Sequence, residues 1–100
     1  MHAKLVTIEG QKAEGMDAAI TQFRERSLKA MRGEPGWRGA YLFVDRQAGK
    51  GVAVTLWDTL ENLEATERRA INFRQTAART SGAEQPAQLE VYEVAVQELP

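Results

Sequence analysis

Alternation of apolar and polar residues predicts four β-strands along this chain. Residues 3–9 (AKLVTIE) alternate and contain β-branched side chains, as half-buried strands do. Residues 37–45 (WRGAYLFVD) and 51–57 (GVAVTLW) are joined by the short segment RQAGK, which is typical of an antiparallel hairpin. Residues 87–98 (AQLEVYEVAVQE) alternate again and predict the fourth strand.

Between these strands the apolar period lengthens to that of an α-helix. The first helical stripe consists of Met16, Ala19, Ile20, Phe23, Ser27, Ala30 and Met31. Gly33 and Pro35 follow it and predict the end of the helix. Asp58 or Thr59 can cap a second helix, whose weaker apolar stripe continues to about Arg79.

The resulting order is strand, helix, strand, strand, helix, strand. Each strand–helix–strand half needs a right-handed crossover, which places both helices on the same side of one sheet. We therefore predict an α+β, ferredoxin-like βαββαβ sandwich with a four-stranded antiparallel sheet, formed by residues 1–100 as a single domain. The first and third strands are expected at the centre of the sheet, with the second and fourth at its edges.

Both faces of this sheet are apolar, although two helices can cover only one of them. In the third strand, Val52, Val54 and Leu56 alternate with Ala53, Thr55 and Trp57. A sheet with one face in water would carry polar residues at alternate positions. We therefore predict a two-fold homodimer that buries the second face sheet against sheet.

Composition and charge exclude several other classes of protein. The net charge of −1 favours neither nucleic acid nor an anionic membrane surface. No apolar run approaches the ~18 residues that a membrane span needs, and MHAKLVTIEG does not resemble a signal peptide, so we expect no membrane association and a cytoplasmic location. Cysteine is absent and His2 is the single histidine, so no metal ligand set and no cofactor are predicted.

Residues 34–65 (EPGWRGAYLFVDRQAGKGVAVTLWDTLENLEA) resemble the central part of antibiotic-biosynthesis-monooxygenase-type domains of the dimeric α/β-barrel superfamily. In that family a Pro-Gly-aromatic-x-Gly segment leads into a strand, and a strand ending in tryptophan leads into a helix cap. The resemblance implies a pocket between helices and sheet in each protomer. Members oxidise phenolic polycyclic substrates without a cofactor, degrade haem, or have no known activity. Trp57 matches the tryptophan that lines the pocket in such enzymes.

Two positions depart from the family's catalytic patterns. The quinone-forming members have an asparagine four residues before the tryptophan, where this chain has Ala53, which cannot hydrogen-bond a phenol. The haem-degrading members have an asparagine on the first strand and a histidine on the second helix, where this chain offers Thr7 and no histidine beyond His2. We therefore assign no catalytic residue and predict no haem.

Ala53 and Thr55 are small residues beside the large ring of Trp57, which predicts a cavity that suits a flat ligand. Alternatively, helix side chains fill that space. The polar candidates to contact a ligand are Thr55, Tyr41 and Arg74. For Glu67 and Arg74 two alternatives remain: the side chain points into the cleft, or it buries only its stem and keeps its charged end in water. The predicted ligand-binding residues are Ala53, Thr55, Trp57, Tyr41, Phe23, Phe73 and Arg74.

Two functions follow from this reading. One is a homodimeric, cofactor-independent monooxygenase that binds a small aromatic or otherwise flat apolar molecule between helices and sheet. The other is a non-catalytic homodimeric binding or stress-associated module whose pocket is closed or vestigial. Ala53 favours the second function, whereas Trp57 favours the first.

Overall fold

A computed structural model describes residues 1–67 and 87–100. Its elements, in chain order, are β1 (His2–Ile8), α1 (Ala13–Gln22), a π-helical segment (Phe23–Ser27), α2 (Leu28–Arg32), β2 (Trp37–Asp45), β3 (Lys50–Trp57) and β4 (Gln88–Glu93). Residues 60–67 are also helical and are called α3. The remainder of the predicted second helix lies outside the described residues.

The four strands form one antiparallel sheet with the order β2-β3-β1-β4. This order confirms the predicted ferredoxin-like arrangement with the first and third strands in the centre. Lys4 pairs with Thr55 and Val6 with Ala53 across the central strands. Ala53 pairs in turn with Leu42 of β2. The register therefore determines which side chains of the three strands share a face.

The predicted fourth strand was too long, because its partner ends first. Alternation continues to residue 98, but β4 ends at Glu93, which pairs with His2 at the beginning of β1. The Val94 N–H donates to the Met1 carbonyl at 2.9 Å, one residue beyond the last strand pair. Val96 and Leu99 beyond this point are strongly exposed.

The first helix ends at Arg32 as predicted, but it contains a wide turn that its apolar period did not reveal. The Leu28 N–H donates to the Phe23 carbonyl five residues earlier, which defines the π-helical segment. The extra residue in that turn changes the phase of the helix that follows. Ser27 and Met31 line the cavity as the predicted stripe implies, whereas Ala30 is exposed, so the prediction that Ala30 belongs to the buried stripe was wrong.

The beginning of α3 is fixed against the turn that precedes β2. Thr59 caps the helix by accepting the Asn62 N–H at 3.1 Å. The Asp58 N–H donates to the Gly36 carbonyl at 2.8 Å, and Gly36 has a φ of +82°. A Cβ on Gly36 would lie 2.2 Å from the Asp58 carboxylate oxygen, so this close approach requires glycine. Leu63 of α3 is fully buried, which brings the helix onto the sheet.

Candidate functional site

One face of the sheet lies under the helices and carries a cavity. Register places Lys4, Val6 and Ile8 of β1 on this helix-facing side together with Thr55 and Ala53 of β3. The first helix covers these residues. Among residues 1–67 and 87–100, the lining is Lys4, Val6, Ile8, Gln11, Met16, Ala19, Ile20, Phe23, Ser27, Met31, Leu42, Val44, Gly51, Ala53 and Thr55.

The cavity has a volume of about 110 Å³. An engineered apolar cavity of roughly 150 Å³ binds benzene, so the space found here is of the order of one small ring. It extends along β1 from Lys4 to Ile8, a distance of about 13 Å at ~3.3 Å per residue. This space forms a layer between the first helix and the sheet, which suits a flat molecule; we call it the slit.

A partly buried ion pair lies at one end of this slit. The Lys4 ammonium lies 3.2 Å from the Glu67 carboxylate of α3, and the Lys4 side chain is only 5% exposed. Lys4 lines the cavity, whereas Glu67 does not belong to its lining. A charged group among apolar walls interacts strongly with any polar atom that enters, because little water screens it.

Next to Lys4, Trp57 and Thr55 form a second buried polar contact. Trp57 is 1% exposed, and its indole Nε1–H donates to the Thr55 Oγ1 at 2.9 Å. The two residues are two positions apart on β3 and therefore share the helix-facing side. Thr55 lines the cavity, while Trp57 lies behind it and is outside the lining.

The other end of the slit is formed by Gln11 and two glycines of the hairpin. The Gln11 N–H donates to the Gly49 carbonyl at 2.9 Å. A Cβ on Gly51 would lie 3.0 Å from the Gln11 Oε1, so the glycine allows the amide to pack against β3. Within the described ranges, this Oε1 is buried and accepts no hydrogen bond. The glycines of the sequence GKG therefore serve close packing.

The predicted site residues fall into three groups. Ala53, Thr55 and Phe23 are brought together in the cavity lining, and Trp57 supports Thr55 from behind. Tyr41 lies on the opposite side of the sheet and is a correction to the predicted site. Phe73 and Arg74 lie outside the described residues.

Tyr41 is excluded from the cavity by the register of the hairpin. Its neighbours Ala40 and Leu42 pair with Thr55 and Ala53, so Tyr41 itself points to the other side with Val54. There it stacks on Phe43, with ring centroids 5.6 Å apart and an angle of 9° between the planes. The two rings are 50% and 56% exposed. We call this side, with its exposed aromatic rings, the open face.

Lys4 and Gln11 are functional candidates that the sequence reading did not select. Lys4 has the same alternation phase as Val6 and Ile8, so a charged residue stands in the buried half of β1. That mismatch was the available signal. Gln11 gives no comparable signal, because it belongs to the loop between β1 and α1 and reaches the cavity only through the turn at Gly49.

One carboxyl group and one phenol group outside the cavity have shifted pKa values. The hydrogen bond from Asn62 lowers the pKa of Asp58 below its usual value, with smaller contributions from Thr59 and Arg38. The hydrogen bond that Tyr92 donates to Glu90 raises the pKa of the Tyr92 phenol. Neither group lines the cavity, so these shifts stabilise local structure at the surface.

Residues 1–67 and 87–100 contain no group of three or more His, Asp and Glu side chains placed to hold a metal ion. Within the same ranges, none of the helices combines the length and apolar character that crossing a membrane requires. Among the described residues, the polar groups of the cavity lining are therefore an ammonium, amide and hydroxyl groups.

Two relatives of similar sequence are uncharacterized proteins of Mycobacterium tuberculosis. No protein-family model matches the chain. It is 33% identical over 82 residues to the uncharacterized protein Rv2557 of Mycobacterium tuberculosis. The matched residues make up 82% of this chain and 36% of that protein. It is 35% identical over 78 residues to the uncharacterized protein Rv2558 of the same organism, or 78% of this chain and 33% of that protein. The chain thus spans about a third of these relatives.

Solved structures with the same fold have several functions. A monooxygenase from the gene ActVA-Orf6 of Streptomyces coelicolor, in complex with nanaomycin D, has a TM-score of 0.80 at 14% identity, covering 99% of this chain and 91% of that one. The haem degrader MhuD of Mycobacterium tuberculosis, with two haems bound, has a TM-score of 0.68 at 21% identity, covering 96% and 98%. A Nitrosomonas europaea protein of unknown function, NE2512, has a TM-score of 0.73 at 19% identity, covering 99% and 93%.

These likenesses confirm the fold that the sequence resemblance implied. The chain has the ferredoxin-like α+β fold of antibiotic-biosynthesis-monooxygenase-type domains. The neighbours bind different ligands, and one has no assigned activity, so the fold by itself selects neither a ligand nor a reaction. The chemistry has to be argued from the cavity.

Proposed function

We propose that this protein binds a small, flat, mainly apolar molecule in the slit between the first helix and the sheet. The observation that carries the proposal is the apolar cavity of about 110 Å³. Small-molecule sites are concave and mainly apolar, with few polar groups that orient the ligand. Here Val6, Ala53 and Phe23 supply apolar walls, and Lys4 and Thr55 supply polar groups at one end.

The π-helical segment supports a binding role for the same cavity. Phe23 and Ser27, its first and last residues, both line the slit. Widened turns of this kind cost helix hydrogen bonding and occur frequently at functional sites. Here the wide turn lies directly over the slit, because residues at both of its ends belong to the lining.

The reaction we propose for such a ligand is cofactor-independent oxidation by molecular oxygen. The ligand would lose a proton and pass an electron to oxygen, after which one oxygen atom enters the ligand and the other leaves as water. All of the reducing electrons come from the ligand. The protein's contribution is orientation, exclusion of water and stabilisation of the anion. The proposal has support from the fold of the monooxygenase neighbour.

A non-catalytic binding module is the second candidate, and specific residues favour it. Ala53 lines the slit and offers no hydrogen bond, and Trp57 is buried behind Thr55 instead of facing the ligand space. Under this alternative the ligand binds and is released unchanged.

Ligand binding is tested by filling the slit. Ala53→Leu would place three additional carbon atoms in the cavity, and we expect affinity for single-ring phenols and ketones to fall at least tenfold. Ala18→Leu is the matched control, because Ala18 is exposed on α1 and outside the lining. Titration by intrinsic tryptophan fluorescence, with Trp57→Phe to assign the signal, measures the affinity. Equal affinities in the two variants would contradict the proposal.

Oxygen consumption separates the two candidates once a ligand is found. A monooxygenase consumes oxygen in proportion to the ligand added, and the Ala53→Leu variant should do so more slowly at the same ligand concentration. A binding module shows saturable fluorescence changes with no oxygen uptake above that of the ligand alone. An oxygen electrode with protein-free ligand as the reference gives the measurement.

We also propose that the open face is buried in a two-fold homodimer. Its aromatic residues Tyr41 and Phe43 are half exposed in the single protomer, and Val54 lies beside them. An exposed apolar patch of this kind favours association, and a second copy presents the same surface. Sedimentation as two copies of the 11.1 kDa chain is the expected result, and a monomer at micromolar concentration would contradict it.

A further inference from the structure

We propose that Lys4 and Thr55 form an oxygen-binding end of the slit. The ligand would then be a flat apolar molecule that directs one hydrogen-bond-accepting oxygen, such as a ketone or phenolate oxygen, towards these two residues. This inference rests on the proposed ligand-binding function and specifies the chemistry of the ligand. It also gives Trp57 a role that does not require contact with the ligand.

The register places the two polar side chains side by side. Lys4 and Thr55 are direct cross-strand partners in β1 and β3, and both line the cavity. Partner side chains on one face have Cβ atoms about 4.5–5.5 Å apart. Both residues are at least nine-tenths buried, with relative exposures of 4% and 5%. A ligand oxygen placed at this end of the slit would lie beside both side chains.

The Thr55 hydroxyl is oriented by Trp57. An indole N–H can only donate, so the contact at 2.9 Å occupies a lone pair of the Thr55 Oγ1. The hydroxyl hydrogen then points away from the indole and is the group with which Thr55 can donate to a ligand. Trp57, buried and outside the lining, acts as a positioning residue for this donor.

Lys4 supplies the charge at the same end. An ammonium group has three N–H donors, and the Glu67 carboxylate at 3.2 Å balances its charge from outside the cavity lining. Because the surrounding walls are apolar, an oxygen that carries partial or full negative charge gains more from this ammonium than it would in water. The end therefore prefers an acceptor oxygen to a hydrocarbon group of the same shape.

Acetophenone and α-methylstyrene test this preference, because they differ only in a C=O group in place of C=CH2. Isothermal titration calorimetry gives both dissociation constants, and their ratio cancels the contribution of the shared skeleton. We expect the preference for the ketone to fall roughly 10- to 100-fold in Lys4→Met and about 3- to 10-fold in Thr55→Val. Trp57→Phe, which keeps an aromatic ring but removes the N–H, should reduce it by a smaller factor.

Controls separate this inference from the proposed function. Ile20→Val changes the apolar wall and should shift both affinities by the same factor. The double variant Lys4→Met/Glu67→Gln removes both charges of this ion pair and replaces the single variant if Lys4→Met alone does not fold. Binding of both probes with the same ratio in every variant would overturn the inference and leave the proposed function standing. Failure of both probes to bind the wild-type protein would overturn the two together.

Discussion

The two faces of the sheet are built from the same alternation but differ in what covers them. On the helix-facing side, Trp57 is buried and Thr55 and Lys4 are at least nine-tenths buried. On the open face, Tyr41 and Phe43 stack on each other and remain half exposed. Residues of the same strand contribute to both faces, because neighbouring side chains along a strand point to opposite sides of the sheet.

This contrast shows that apolar alternation specifies burial without specifying the partner. Helices of the same chain cover the helix-facing side, and the slit lies between the first helix and the sheet. The open face has comparable apolar content and receives no cover from the described part of the protomer. We therefore expect substitutions on the first face to change stability and ligand binding, and substitutions on the second to change self-association.

The largest expected effect comes from Trp57 on the helix-facing side. Trp57→Ala removes a fully buried ring and the hydrogen bond to Thr55, so the free energy of unfolding should fall by about 3–5 kcal/mol. Tyr41→Ala on the open face is the aromatic control. Urea unfolding at protein concentrations below the dimer dissociation constant should show a clearly smaller loss for the control. Equal losses would mean that both faces are covered within one protomer.

A smaller effect is expected on self-association when Phe43 is truncated. Phe43 is 56% exposed, so completing its burial contributes about 1–1.5 kcal/mol in each of two copies. Phe43→Ala should therefore raise the dimer dissociation constant roughly 100-fold. Val44→Ala is the matched control: Val44 is the next residue, is 41% exposed and lines the slit. Sedimentation velocity over a range of concentrations distinguishes them, and similar constants for both variants would rule out the open face as the interface.

Much of the fold could be predicted because period and hairpin length are local signals. The alternation of residues 51–57, for example, places Ala53, Thr55 and Trp57 on one side without knowledge of any other strand. The error at Tyr41 arose because its face depends on pairing with β3. The turn length alone does not determine that Ala40, and not Tyr41, pairs with Thr55.

The site was less predictable, because its distinctive parts depend on tertiary contacts. The wide turn at Phe23–Ser27 arises from one displaced helix hydrogen bond. The apolar stripe through Phe23 and Ser27 fits an ordinary α-helix nearly as well, so the sequence did not reveal this turn. Trp57 was expected in the wall of a pocket. Its contact with Thr55 depends on the indole rotamer, which spacing does not specify. Among the described site residues missing from the prediction, only Lys4 had a signal in the sequence. It occupies a position of β1 at which the alternation expects an apolar side chain.

The smallest expected effect concerns the start of α3, which covers only the helix-facing side. Asp58 accepts a hydrogen bond from the Asn62 side chain at 2.8 Å, which is the main reason that its pKa is lowered from 3.8. A carboxyl whose pKa is lower in the folded state stabilises that state above its unfolded pKa, and the contribution disappears as the pH falls through the folded pKa. Asn62→Ala should therefore raise the pKa of Asp58 towards its usual value.

The stability difference between wild type and Asn62→Ala should accordingly be small near neutral pH and decrease further below the usual pKa of the Asp58 carboxyl, where that carboxyl is protonated in both states. Titration of the carboxyl carbon by NMR and urea unfolding at neutral and acidic pH measure the two quantities. Glu61→Gln, an exposed change on the same helix, should leave the pKa of Asp58 in place. Because Asp58 and Asn62 act on the helix and not on the open face, the dimer dissociation constant should stay the same. A change in that constant would show that the helix start and the open face are coupled, and the separation between the two faces would then fail.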